Sequence, residues 1–137
     1  MENHYQLSDE EFLKAFKLKT LSPKLFNHEA HLRLAYLLIT ANGITEAIDK
    51  SCEQIQAYAT SLGAHGKFNK TVTVAANKAV YHFMLKSKSN NFKDLITEFP
   101  RLKNNFKDLL SQHYDIDIFN SKIARSSFLE PDLLPFD

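Results

Sequence analysis

The sequence predicts an all-α fold, a single compact bundle of about five to seven helices built around a central buried helix near 28–42. Three observations predict it. Only three glycines and four prolines occur in 137 residues, and each falls where a helical pattern starts or stops. Apolar residues recur at three- and four-residue intervals through most of the chain. The segment FNHEAHLRLAYLLI at 26–39 is apolar on nearly every side, the pattern of a helix flanked by others.

Taken in order, Ser8-Asp9-Glu10-Glu11 reads as a capping box, with Phe12, Leu13 and Phe16 forming the apolar face of the helix it opens. Leu21-Ser22-Pro23 breaks the chain. Asn27 is placed to cap a second helix, from about His28 to Asn42, that Gly43 ends; its one polar row is Glu29, Arg33, Tyr36 and Thr40. Thr45 caps a third helix whose Ile48, Cys52, Ile55, Ala59 and Leu62 share a stripe, and Gly63 stops it. Residues 69–86 carry two periods. Thr71-Val72-Thr73-Val74 alternates like a strand, whereas Val72, Ala76, Ala79 and Phe83 keep helical spacing. Helix is the better solution, because a lone strand would have no sheet to join. A polar linker at 87–90 precedes a short helix from Asn91 to Phe99, stopped by Pro100, then another from Leu102 to about His113. A last helix lies within 116–129, before a tail marked by Pro131 and Pro135. NNFKDLI at 90–96 echoes as NNFKDLL at 104–110, a spacing too short for a solenoid repeat and better read as two similar amphipathic turns.

Length and composition fit one domain spanning 1–137, with 44% hydrophobic and 24% charged residues. Seventeen basic against sixteen acidic residues give a net charge of +1, which removes the usual electrostatic basis for binding nucleic acid or a membrane surface. The basic residues between Lys86 and Lys107 spread over several helices without interleaved aromatic platforms and read as a solvated face. The opening MENHYQLSDEEF has neither the basic nor the apolar region of a secretory signal, and the longest apolar run, Leu34 to Ile39, is far short of a membrane span. Cys52, the one cysteine, excludes an internal disulfide and a cysteine zinc cage, and on an apolar stripe it reads as a small buried thiol. A cytoplasmic protein is expected.

His28 and His31, three positions apart, share one face of the second helix, which Ala35 and Leu38 continue towards the interior. Two neutral imidazoles a turn apart can bind a divalent transition metal jointly, but they are half a site. His28-Glu29-Ala30-His31 is not the zincin motif, and Glu29 falls on the opposite, polar row. A third ligand must come from elsewhere, with His65, Asn69, His82, His113 and the carboxylates as options. The same pair reads equally well as core histidines bonded to backbone or carboxylate. Asn69, Thr71 and Thr73 form a second polar cluster able to contact a small ligand, although Asn69 or Thr71 also suits a helix N-cap and Thr73 a bond to its own preceding turn. His4 and His113 are expected at the surface.

Phe26-Asn27-His28-Glu29-Ala30-His31-Leu32-Arg33-Leu34-Ala35, Lys67-Phe68-Asn69-Lys70-Thr71-Val72-Thr73, and Ala124-Arg125 with Pro131-Asp132-Leu133 follow one another along the chain. Together they resemble a group of small, functionally uncharacterised bacterial all-helical proteins, whose pattern is F-x-H-x-x-H-[LV]-x-x-A, K-[YF]-H-x-T-x-T and a C-terminal P-D-L. The resemblance implies that His28, His31, Thr71 and Thr73 belong to one site. Asn69 stands where the pattern has a third histidine, and an amide oxygen is a much weaker transition-metal ligand than an imidazole. Two functions stay open: a metal-dependent or histidine-based small-molecule enzyme centred on His28 and His31, and a non-catalytic helical module that holds a small ligand or a partner helix. A structural protein with satisfied core histidines is the third possibility.

Overall fold

A computed structural model describes residues 3–136, apart from the side chain of His65, so that option for a third ligand lies outside the described residues. The described chain is all-α, with eight α-helices joined by turns and short 3-10 segments. Its internal contacts divide it into two compact units, 1–68 and 69–137.

In the first unit, helix α1 runs Asp9–Lys17, α2 His28–Asn42 and α3 Ile44–Ser61. The capping box at the start of α1 is formed: Glu11 N donates to Ser8 Oγ at 3.1 Å and Ser8 N to Glu11 Oε1 at 2.9 Å. Asn27 caps α2 by accepting from Ala30 N at 2.8 Å. As expected from its nearly all-round apolarity, α2 is the buried helix: Ala30 and every residue from 32 to 39 are buried, and it packs on α1 and α3. One of those residues is Arg33, 4% exposed.

Gly43, at φ +82°, both ends α2 and opens α3. The cap expected at Thr45 is therefore displaced, because the left-handed glycine turns the chain with no linker and α3 begins at Ile44. The buried stripe of α3 is Ala47, Ser51, Ile55 and Tyr58, rotated from the expected one, so that Cys52 is only half-buried and Leu62 is 47% exposed. Small side chains at Ala47 and Ser51, both fully buried, suit close helix packing.

In the second unit, α4 is Lys70–Lys86, α5 Phe92–Glu98, α6 Arg101–Asn104, α7 Phe106–Ser111 and α8 Lys122–Ser126. Helical spacing prevails over strand alternation in α4, whose interior row includes Val74, Ala75, Ala76, Ala79 and Val80. The helix expected from Leu102 to His113 is broken at Asn105, whose φ −131° and ψ 37° leave the helical region. Asparagine competes for backbone partners outside helices, and the break turns Leu102, Phe106, Leu109 and Leu110 all inward. The two echoed turns thus bury the same pattern, Phe92, Leu95 and Ile96 in one and Phe106, Leu109 and Leu110 in the other. Only five residues of the 116–129 segment are helical. Asp117 diverts the start of that segment into a side-chain turn, accepting from Phe119 N and Asn120 Nδ2, and Ser121 then caps α8.

The tail after α8 has no regular structure but many anchors. Thr71 Oγ1 donates to Ser127 O at 2.7 Å and accepts from Leu129 N at 3.1 Å, and Tyr114 Oη donates to Leu129 O at 2.7 Å. Leu133 N donates to His113 O, and the His113 ring to Leu134 O, at 2.9 and 2.8 Å.

Candidate functional site

His28, on the first turn of α2, is exposed. His31 is half-buried, yet its Nε2 is shielded from solvent and has no hydrogen-bond partner. The ring lies 5.9 Å from that of Phe26, between centroids. Burial, helped by the neighbouring His28, pushes its pKa from 6.5 down to about 4, so the imidazole is neutral at physiological pH. A buried polar atom without a partner costs about 1–3 kcal/mol. Among the described residues no group of three or more His, Cys, Asp or Glu side chains is arranged to hold a metal ion.

Glu29 is committed elsewhere in the same unit. Its carboxylate lies 3.1 Å from His4 Nε2 and accepts from Tyr5 Oη at 3.1 Å. Desolvation, reinforced by the Glu29 charge, raises the Tyr5 pKa well above the usual phenol value and keeps that hydroxyl a donor. Arg33 donates to His4 O at 2.6 Å, to Leu7 O at 2.9 Å and to Asp9 Oδ1 at 2.9 Å, and its guanidinium lies 4.6 Å from the Phe12 ring centroid. His4 Nδ1 faces Arg33 Nη1 at 3.3 Å; since guanidinium is only a donor, Nδ1 accepts and Nε2 carries the proton given to Glu29. His4 is thus fully buried instead of at the surface, because the polar row of α2 needs partners and the N-terminal turn supplies them.

Asn69, Thr71 and Thr73 lie in the second unit, and each makes bonds within it. Asn69 caps α4 through Val72 N and donates to Ile118 O at 2.8 Å. Thr71 holds the tail, and Thr73 Oγ1 donates back to Asn69 O at 2.8 Å. Thr71 and Thr73 are buried.

The second unit also contains a hollow that no sequence motif marks. It has a volume of about 220 Å³, a floor that includes Phe83, Leu109 and Leu110, and polar walls from His82, Lys86, Arg101, Gln112 and His113. Phe136 closes one side, its ring stacked on His113 at 4.4 Å. No carboxylate lines it among the described residues. Its signal in the sequence is faint: Ala79, His82, Phe83 and Lys86 fall on one helical face, but the remaining walls come from α6, from α7 and the turn after it, and from the tail. A wider hollow of about 370 Å³ is lined by Asp108, Asp115 and Asp117 together with Lys107, and Asp117 is spent on its own turn.

No family model matches the chain, and neither a curated protein nor a solved structure matches it. Among the described residues no helix is long and apolar enough to cross a membrane.

Proposed function

We propose that the protein is a non-catalytic small-molecule-binding module whose ligand occupies the hollow between α4, α6, α7 and the C-terminal tail. The observation that carries this is the combination of an apolar floor with convergent polar side chains in one concavity, the general form of a ligand site. At about 220 Å³ it lies below the roughly 300–1,000 Å³ of drug-sized sites, so its occupant is a compact molecule of one or two rings. Thr71 serves this site at a distance, by tying down the tail that carries Phe136. Thermal unfolding against a panel of compact metabolites tests the proposal. A true ligand at a hundred times its dissociation constant should stabilise by about 2.7 kcal/mol, and a panel with no stabilising member would count against it.

A second reading rests on His31. Its unpartnered Nε2, with His28 one turn away, supports a two-histidine anchor for a divalent transition metal, in keeping with the resemblance noted in the sequence. Calorimetric titration of untagged protein with zinc should then show binding that His31→Ala weakens at least tenfold. Equal affinity in the two proteins removes the metal.

A further inference from the structure

We infer that the hollow of the second unit selects an organic anion, one carboxylate or similar group carried on a flat apolar body. The inference rests on the binding-module reading above and adds the chemistry of the ligand. Lys86 and Arg101 both line the hollow, and neither forms an ion pair among the described residues. Both are exposed at its edge while Leu109 and Leu110 are buried at its base, so positive charge rims an apolar floor. Among the described lining residues no carboxylate competes for those cations.

The remaining walls suit the rest of such a molecule. His113 donates from Nδ1 to Leu134 O, since a carbonyl only accepts, and its Nε2 is left as the ring's second hydrogen-bonding atom. The stacked His113 and Phe136 rings offer a flat surface, and Phe83 brings a third ring to the lining. An arginine fork pairs bidentately with a planar carboxylate, and a lysine beside it adds a point charge. A neutral ligand of the same shape would keep the stacking and forgo both cations.

Naphthoate and its uncharged counterpart naphthamide separate these contributions, titrated into the full chain and followed by proton–nitrogen correlation spectra. Both probes should shift the amides of Phe83, Leu109 and Gln112. Naphthoate should bind about tenfold more tightly, an advantage that falls with added salt, because each rim cation contributes a several-fold gain. The Lys86→Gln/Arg101→Gln double variant, altered only at exposed positions, should bring the two probes to equal affinity. Equal affinities in the parent protein, or a naphthoate preference that survives in the double variant, overturn the anion assignment and leave the pocket standing. Shifts confined to residues away from the hollow, or none with either probe, overturn the pocket and the inference with it.

Discussion

Replacing His31 by phenylalanine exchanges a neutral, unpartnered imidazole for an apolar ring, and should make the protein more tolerant of acid. In the folded chain the His31 pKa sits at about 4, against 6.5 for an ordinary histidine. Between those values the unfolded chain takes up a proton that the folded chain refuses, so the stability His31 confers by staying neutral is complete above pH 6.5 and drains away as pH falls towards 4. At ~1.36 kcal/mol per pH unit the full gap is worth about 3 kcal/mol, which the residue's partial exposure reduces to about 2 kcal/mol. From pH 7 to pH 5 the parent should therefore lose about 1–1.5 kcal/mol more than the variant. Urea unfolding at the two values measures the difference, and proton spectra of the imidazole give its pKa directly. The same loss in both proteins, or an imidazole that titrates near 6.5, refutes the reasoning.

Other substitutions probe the remaining polar groups. Arg33→Met removes a buried guanidinium from His4 O and Leu7 O and should cost about 3 kcal/mol in denaturant unfolding, with Arg33→Lys recovering only part; a loss below about 1 kcal/mol would contradict the network's importance. Thr71→Val leaves Ser127 O and Leu129 N without their partner and should cost about 2 kcal/mol, while Thr71→Ser keeps both bonds. Hydrogen exchange at Leu129 and Leu133 should quicken in the valine variant alone. Gly43→Ala meets no atom within 4 Å, so its cost of about 1–2 kcal/mol in thermal unfolding is backbone strain at φ +82°; an unchanged melting temperature would show that the turn relaxes.

Local signals were legible where one residue decides the outcome. Ser8 and Asn27 cap the helices that follow, Asn69 takes the cap that suited either it or Thr71, and the all-round apolarity of α2 does mark a buried helix. Boundaries failed where backbone chemistry outranked pattern, as at Gly43, which pre-empted Thr45, and at Asn105, which split a periodic segment. The site was harder to read than the fold. Periodicity tells which face of α2 is polar, but not that His4, nearly thirty residues earlier, is buried against it. Asn69 and Thr73 were readable as cap and back-bond from local rules alone, whereas the tie from Thr71 to Leu129 spans 58 residues and has no local signature. Lys86, Arg101, His113 and Phe136 come from separate segments, and only tertiary folding gathers them.

The tail is held mainly by its own backbone. Ser127 and Leu134 contribute carbonyl groups, Leu133 an amide and Leu129 both, whereas the groups that grip them are the side chains of Thr71, Tyr114 and His113 and one carbonyl of His113. Selection on the tail's sequence should accordingly be loose at 127, 129 and 134 and tight at the three gripping side chains. Related chains would be expected to drift at 127, 129 and 134 while keeping a hydroxyl at 71, a phenol at 114, a ring donor at 113 and the carboxylate at 132 that accepts from Asp115 N, a pattern of constraint that lies mostly opposite the segment whose shape it preserves.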